Sequence, residues 1–258
     1  MNHPYKNGYS TLPQLKKITA DEVFLPTPNL EWHMKEKYAS LDYMICPYFS
    51  YKMTDDIFED VCKFITKHHP QKPSGSFFGI GHDIPEDIII HRMNDTTDWM
   101  AAAAVFMPSG WWPKDKIGKP LEEIHAPIPG MNLANSRKLV EAMVHSGPFE
   151  RFVWSVVFSE TLNAHPMIEM AGIFPKAQFE PVIPQVWVKV ERQVTVGFPE
   201  HRVALFVLKH SLIHDHEIDK PALASAIRGM TPEQKEYKGL ADCHEAVLAY
   251  LDPTTSAP

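Results

Sequence analysis

Between residues 186 and 196 apolar and polar positions alternate without a break. Val186, Val188, Val190, Val194 and Val196 share one face of a predicted strand, and Arg192 falls on that same face. A second apolar run at 203–208 follows across Gly197-Phe198-Pro199-Glu200-His201, a spacing that predicts a hairpin. Residues 101–107 read as a short buried strand and 151–158 as another. Helical spacing appears in Asp55–His68, where Ile57, Phe58, Val61, Cys62 and Ile65 line up, and at 134–146, with Leu139, Val140, Met143 and Val144 inward. The tail is helical at 221–228 and at 241–251, and Thr231-Pro232-Glu233-Gln234 between them fits a capping box with proline at the first helical position.

The unpatterned stretches are as informative. Residues 1–40 carry Pro4, Pro13, Pro26 and Pro28 with no sustained period and read as an extended arm. Residues 72–85 form a loop whose Gly79-Ile80-Gly81 lacks the third glycine of a dinucleotide fingerprint. Residues 161–184 are mostly irregular. Residues 108–129 pack Trp111, Trp112, Lys114, Lys116 and His125 into a segment without helical or strand period. Ordering such a segment is costly, which marks it as a functional loop, with Pro127 and Pro129 stiffening the backbone beside His125. The expectation is an α/β (α+β) chain: an N-terminal arm over 1–40 and one domain over 41–258, an antiparallel sheet with flanking helices and long irregular connections.

Composition narrows the function classes. The chain has 258 residues, is 44% hydrophobic and 22% charged, and carries a net charge of -7, which argues against a nucleic-acid binder. No apolar stretch reaches the length of a membrane span, and the first residues lack the apolar core of a signal peptide, so a cytoplasmic protein is expected. Cys46, Cys62 and Cys243 are too few and too scattered for a four-thiolate cluster or zinc site.

Two residues stand out as carriers of chemistry. Arg192 among five valines needs an anion: a carboxylate side chain, the carboxylate of a ligand, or else a bulge that turns it outward. His125 is either a hydrogen-bonded structural residue or a metal ligand on a stiff mount. The other histidine groups read as structural: His82-Asp83 lies in a loop, His214-Asp215-His216-Glu217 in a turn, His68-His69 at a helix end, and His244-Glu245 lacks a second histidine. No Gly-x-Ser-x-Gly elbow or activated cysteine is present.

With these residues in place, the chain resembles the haem-dependent oxidative N-demethylase alpha-subunit-like family. The likeness lies in Pro108-Ser109-x-Trp111-x-Pro113-x-x-Lys116-Ile117-Gly118-x-x-Leu121-x-x-Ile124-His125-x-Pro127-Ile128-Pro129, then Val190-Glu191-Arg192-Gln193, Tyr237-Lys238-Gly239 and the pair Glu86-Asp87. It spans roughly residues 86 to 250. Lys189 stands where the family commonly has arginine, and Ile128 where it has valine.

The resemblance implies a PAS-like sheet carrying haem b, and a monooxygenase that oxidises a small amine or amino-acid-like nitrogen compound with O2. Electrons are then expected from a separate flavin and iron–sulfur reductase, and a homo-oligomer is allowed. It implies His125 as the proximal iron ligand and Arg192 and Lys116 as partners of the haem propionates. Trp111, Trp112 and Trp154 are implied as walls of the haem site, and Glu191 as a polar catalytic group. Two other classes fit the same residues: a haem-PAS gas or redox sensor, and a haem-free module in which Arg192 grips an organic acid.

Overall fold

A computed structural model describes residues 3–42, 45–170 and 178–253. In chain order the elements are β1 (Lys16–Lys17), α1 (Leu30–Asp42), β2 (Tyr48–Ser50), α2 (Asp55–His68), α3 (Phe77–Asp83), β3 (Asp87–Met93), β4 (Asp98–Ala104), α4 (Leu121–His125), α5 (Ser136–His145), β5 (Phe149–Val157), α6 (Pro166–Met170), β6 (Trp187–Phe198), β7 (Val203–Ile213), α7 (Lys220–Arg228), α8 (Pro232–Tyr237) and α9 (His244–Leu251). The strands form one sheet in the order β1-β5-β6-β7-β3-β4-β2, with every neighbouring pair antiparallel. The fold is α+β.

β6 and β7 make the predicted hairpin, and both run further than the alternation indicated. Their register is unbroken from Val188↔Ile213 to Phe198↔Val203, so the valines and Arg192 do share a face. That face carries two apolar cores rather than one. Val186, Val188 and Val190 pack with Trp154, Leu223, Ile227 and Val247 under α7 and α9. Val194 and Val196 pack with Ile57, Val61, Ile65 and Ile80 under α2 and α3. Arg192 sits between the two cores, and the N-terminal chain runs over it. The opposite face is covered by α4, α5 and the segment that contains Trp111 and Ile117.

Three local expectations change. The loop expected at 72–85 contains α3, whose N-terminus is capped by the Ser76 hydroxyl accepting from the Gly79 amide at 3.1 Å. The stretch read as an extended arm ends in α1, and the unpatterned 108–129 segment contains α4. The central strand β3 gave no alternation because Asp87 to His91 are all buried, with Ile88, Ile89 and Ile90 forming a continuous apolar run. Of the irregular 161–184 stretch, residues 171–177 lie outside the described residues.

Candidate functional site

Asp98, at the start of β4, sets up the site. Its Oδ2 accepts from the Leu121 amide at 2.7 Å, which fixes the first turn of α4, and lies 2.6 Å from His91 Nε2. Burial pushes the Asp98 carboxyl up, but the His91 ring and the Leu121 amide outweigh it and hold it below its ordinary range. The carboxylate thus meets the positive end of a short helix, a favourable placement. His125 ends that helix. Its mount is therefore helical, one turn after Leu121, and not the proline-stiffened turn expected.

The His125 ring is positioned by its own helix. Nδ1 donates to the Leu121 carbonyl at 2.9 Å, and Nε2 has no hydrogen-bond partner among the described residues. Burial lowers the pKa of the ring, against the pull of the Leu121 carbonyl; the nearby charges of Arg151 and Lys116 act in the same direction as burial. The ring is held neutral with its proton on Nδ1. A neutral imidazole anchored this way presents the Nε2 lone pair, the state a metal-ligating histidine requires.

His125 lines a small cavity of about 20 Å³, room for about one water, between α4, α5 and the sheet. Leu121, Leu139, Met143, Phe149 and Phe206 make its apolar wall; Arg151, Gln193 and Thr195 supply its polar groups. Arg151 and Gln193 are cross-strand partners on the face opposite Arg192. No hydrogen bond or ion pair among the described residues reaches the Arg151 guanidinium, and its Nε is buried without a partner. Thr195 Oγ1 is likewise buried and unpartnered.

The structure separates the sequence-predicted residues into two groups. Lys116 lies near His125, and Glu191 lies on the same side of the sheet. Lys116 Nζ donates to the Ile124 carbonyl at 3.2 Å, and burial lowers its pKa. Glu191 shares the cavity face of β6, accepting from Gln193 Nε2 at 2.5 Å and lying 3.6 Å from His210 Nδ1. Trp111 packs on that face against Ile89, Met100, Ala103 and Leu208. Trp112 is further out, edge-on to His165 and Phe49, with its Nε1 buried and unpartnered.

Arg192 and Trp154 lie on the other face of the sheet from His125. Arg192 Nε donates to Glu150 Oε2 at 2.9 Å, while its terminal nitrogens donate to the Val23 and Glu22 carbonyls at 2.8 and 2.6 Å. The anion it needs is a side chain from the neighbouring strand, so it is not available to a propionate or to an organic acid on the His125 side. Trp154 stacks edge-on with Tyr5 and Tyr9 in the core under α7. Strand alternation is the reason in both cases: residues 150, 152, 154 and 192 face away from 151, 191 and 193.

Arg151 is the residue the sequence did not single out. In Glu150-Arg151-Phe152-Val153-Trp154 both parities carry apolar residues, so alternation alone does not say which face holds the free cation. The kinds of group present match a haem site, with one neutral imidazole with a free Nε2, apolar walls and a guanidinium without an internal anion, whereas the cavity itself is water-sized. Among the described residues no three His, Cys, Asp or Glu side chains converge as a metal cage, and no helix is long and apolar enough to cross a membrane. A family model described as "Haem-dependent oxidative N-demethylase, alpha subunit-like" matches residues 40–248. No curated protein matches the chain significantly.

Proposed function

The chain belongs to the haem-dependent oxidative N-demethylase alpha-subunit-like family, and from that membership we propose that it is a haem-dependent monooxygenase acting on a small amine or amino-acid-like nitrogen compound. The observation that carries this reading is His125: a neutral ring, its Nδ1 tied to Leu121, its Nε2 free at the wall of a cavity. His125 would hold the iron, the apolar wall would face the macrocycle, and Arg151 and Lys116 would meet its acid groups. Haem, when bound, supplies the activation of dioxygen and the oxidising power for attack beside the substrate nitrogen.

The protein's own residues do the rest. Leu121 O keeps the proton on Nδ1 and raises the basicity of the ligand nitrogen. Leu139, Met143 and Phe206 give the cavity an apolar wall, which strengthens charge–charge interactions beside it. Glu191, held by Gln193 and beside His210, is a carboxylate on the same face of β6 that would attract a cationic amine. We keep a PAS-like description of the sheet, a cytoplasmic setting and a separate flavin and iron–sulfur electron donor as parts of the same proposal. The alpha-subunit description of the family supports a partner of that kind.

Titrating the purified chain with haemin tests the reading. A Soret band should develop at one equivalent, and His125→Ala should abolish or shift it, with added imidazole restoring it. An unchanged spectrum in His125→Ala removes the residue as ligand, and no Soret band in the wild type removes the haem. With reductant, O2 and a panel of secondary amines, formaldehyde should appear for N-methyl substrates.

A further inference from the structure

His210 of β7 faces Glu191 of β6 as its cross-strand partner, and Asp87 of β3 lies on the same face, opposite Leu208. The three side chains form a row. His210 Nδ1 lies 3.6 Å from Glu191 Oε2 and Nε2 lies 3.7 Å from Asp87 Oδ2, both beyond hydrogen-bond length, so both ring nitrogens are buried without a partner. A neutral imidazole holds one proton and turns a lone pair toward one of the two carboxylates. An imidazolium donates to both after a shift of about 1 Å, so the row has a place for one more proton. Asp87 does not take it. Its carboxylate accepts from the Phe106 and Met107 amides at 2.9 and 3.0 Å and lies 3.5 Å from Lys37 Nζ. Burial pushes that carboxyl up, but Lys37 and His210 outweigh it and hold it below its ordinary range.

Glu191 is the end of the row that reaches the surface, its side chain 17% exposed against 2% for His210. Arg151, Lys189, Lys238 and Tyr237 lie around it, and its charge favours the charged forms of the three cations. The two lysines are directed elsewhere: Lys189 Nζ donates to the Leu162 carbonyl, and Lys238 Nζ to the Trp154 carbonyl and Ser155 Oγ. From α1, His33 and Lys37 are the titratable neighbours of His210 and Asp87.

We propose that His210 is the proton store of the reaction, a positioning residue that acts through Glu191: the proton of an incoming alkylammonium passes to Glu191 and on to His210, and later returns to the product amine. The proposal rests on the reading of Glu191 as the group that attracts the amine. An alkylammonium, like a lysine side chain, is charged at neutral pH and has no lone pair on nitrogen. Breaking one N–H bond leaves its electron pair on the nitrogen. Glu191 Oε2 binds the proton and gives it to His210 Nδ1, whose lone pair forms the new N–H bond. The amine is then neutral, the ring is an imidazolium between two carboxylates, and no electron has changed hands. The cations around Glu191 act in the same direction, because they disfavour a further positive charge on the amine. Asp87 sets the receiving tautomer: its carboxylate draws the ring proton to Nε2, so that Nδ1 faces Glu191 as an acceptor. When the product amine forms, the transfer reverses and the product leaves as an ammonium.

Two measurements test this. The first needs no haem: NMR of the histidine rings in the full chain follows His210, assigned through its contacts to neighbouring side chains, across a pH titration. Glu191→Gln should lower the pH at which the His210 ring charges by about one unit. Identical titrations in wild type and Glu191→Gln overturn the link. The second compares kcat and KM of the haem-loaded chain, with reductant and O2, on dimethylamine and on N,O-dimethylhydroxylamine, a molecule of similar size whose nitrogen is uncharged at neutral pH. His210→Gln should lower kcat for dimethylamine about 100-fold with little change in KM, and keep kcat for the uncharged compound within about threefold. Raising the pH should restore part of the dimethylamine rate in this variant, because more of the free amine is present. Equal losses on both compounds make His210 a structural residue and overturn the proposal, and so does no loss on either. If His210→Gln does not fold, Glu191→Gln, at the exposed end of the row, is taken through the same pair of compounds with the same expected contrast. A wild type that takes up no haemin, or turns over neither compound, overturns the proposed function instead. The NMR titration still decides whether His210 and Glu191 share a proton.

Discussion

Arg151 and Arg192 carry the same charge, lie in adjacent strands, and are expected to respond to substitution with opposite signs. Replacing Arg192 with Met leaves Glu150 with only the exposed Lys16 amine at 3.2 Å and removes the donors of two carbonyls. Breaking a buried ion pair in this way costs about 3 kcal/mol or more. Replacing Arg151 with Met removes a buried charge that has no partner, so the ligand-free chain should gain on the order of 1 kcal/mol. Denaturant melts of the two variants check this, and equal destabilisation would show that Arg151 has a counter-ion of its own. The sequence showed half of this contrast. Strict valine alternation exposed Arg192 as an anomaly, but its anion, Glu150, lies 42 residues away and is paired with it through a neighbouring strand. Arg151 stayed hidden because nothing in its local pattern separates one face of β5 from the other.

Among the elements, those with a clear period were legible: α2, α5, β6 and β7 arise where the spacing of apolar residues places them. Those missed are short or buried on both sides, as α4 and β3 are, so no face contrast reaches the sequence. The packing of α5 on β6 was not legible either, because it depends on an absent side chain. A Cβ built on Gly197 would lie 2.0 Å from the Val144 carbonyl oxygen and 2.7 Å from that of Met143. The backbone of α5 thus rests directly on β6, bringing Leu139 and Met143 against the His125 cavity. Gly197→Ala must push the helix or the strand aside and should cost about 3 kcal/mol. Gly229→Ala, where a Cβ would come no closer than 3.5 Å to the Ala226 carbonyl oxygen, should change stability by less than about 1 kcal/mol. Thermal melts of the pair distinguish close backbone packing from a general intolerance of alanine.

At the scale of the whole molecule, the first forty residues seal the sheet although the family model begins only at residue 40. Tyr5 is fully buried beneath α7, Glu22 and Val23 supply carbonyls to Arg192, and Leu25 and Pro26 supply theirs to Lys209. The composition of this segment suggested an arm; its anchoring comes from partners far along the chain, which no local pattern displays. Helix α1 completes the seal and makes it sensitive to acid. His33 on α1 is 3% exposed, its Nε2 has no partner, and burial lowers its pKa to about 4. The charges of His210, Lys209 and Lys37 add to that lowering, and Glu86 opposes it. An unfolded histidine titrates near 6.5, so above that pH both states are neutral at His33 and its contribution to stability is complete. Between pH 6.5 and about 4 the unfolded chain takes up a proton that the native chain refuses, and stability falls by about 1.4 kcal/mol per pH unit. The total, about 3 kcal/mol, is spent before carboxylate titration dominates, so urea midpoints should decline through this window. His33→Phe should flatten that decline while leaving the midpoint at pH 8 nearly in place. A decline of equal slope in His33→Phe would assign the acid sensitivity to other groups and leave α1 a passive cover.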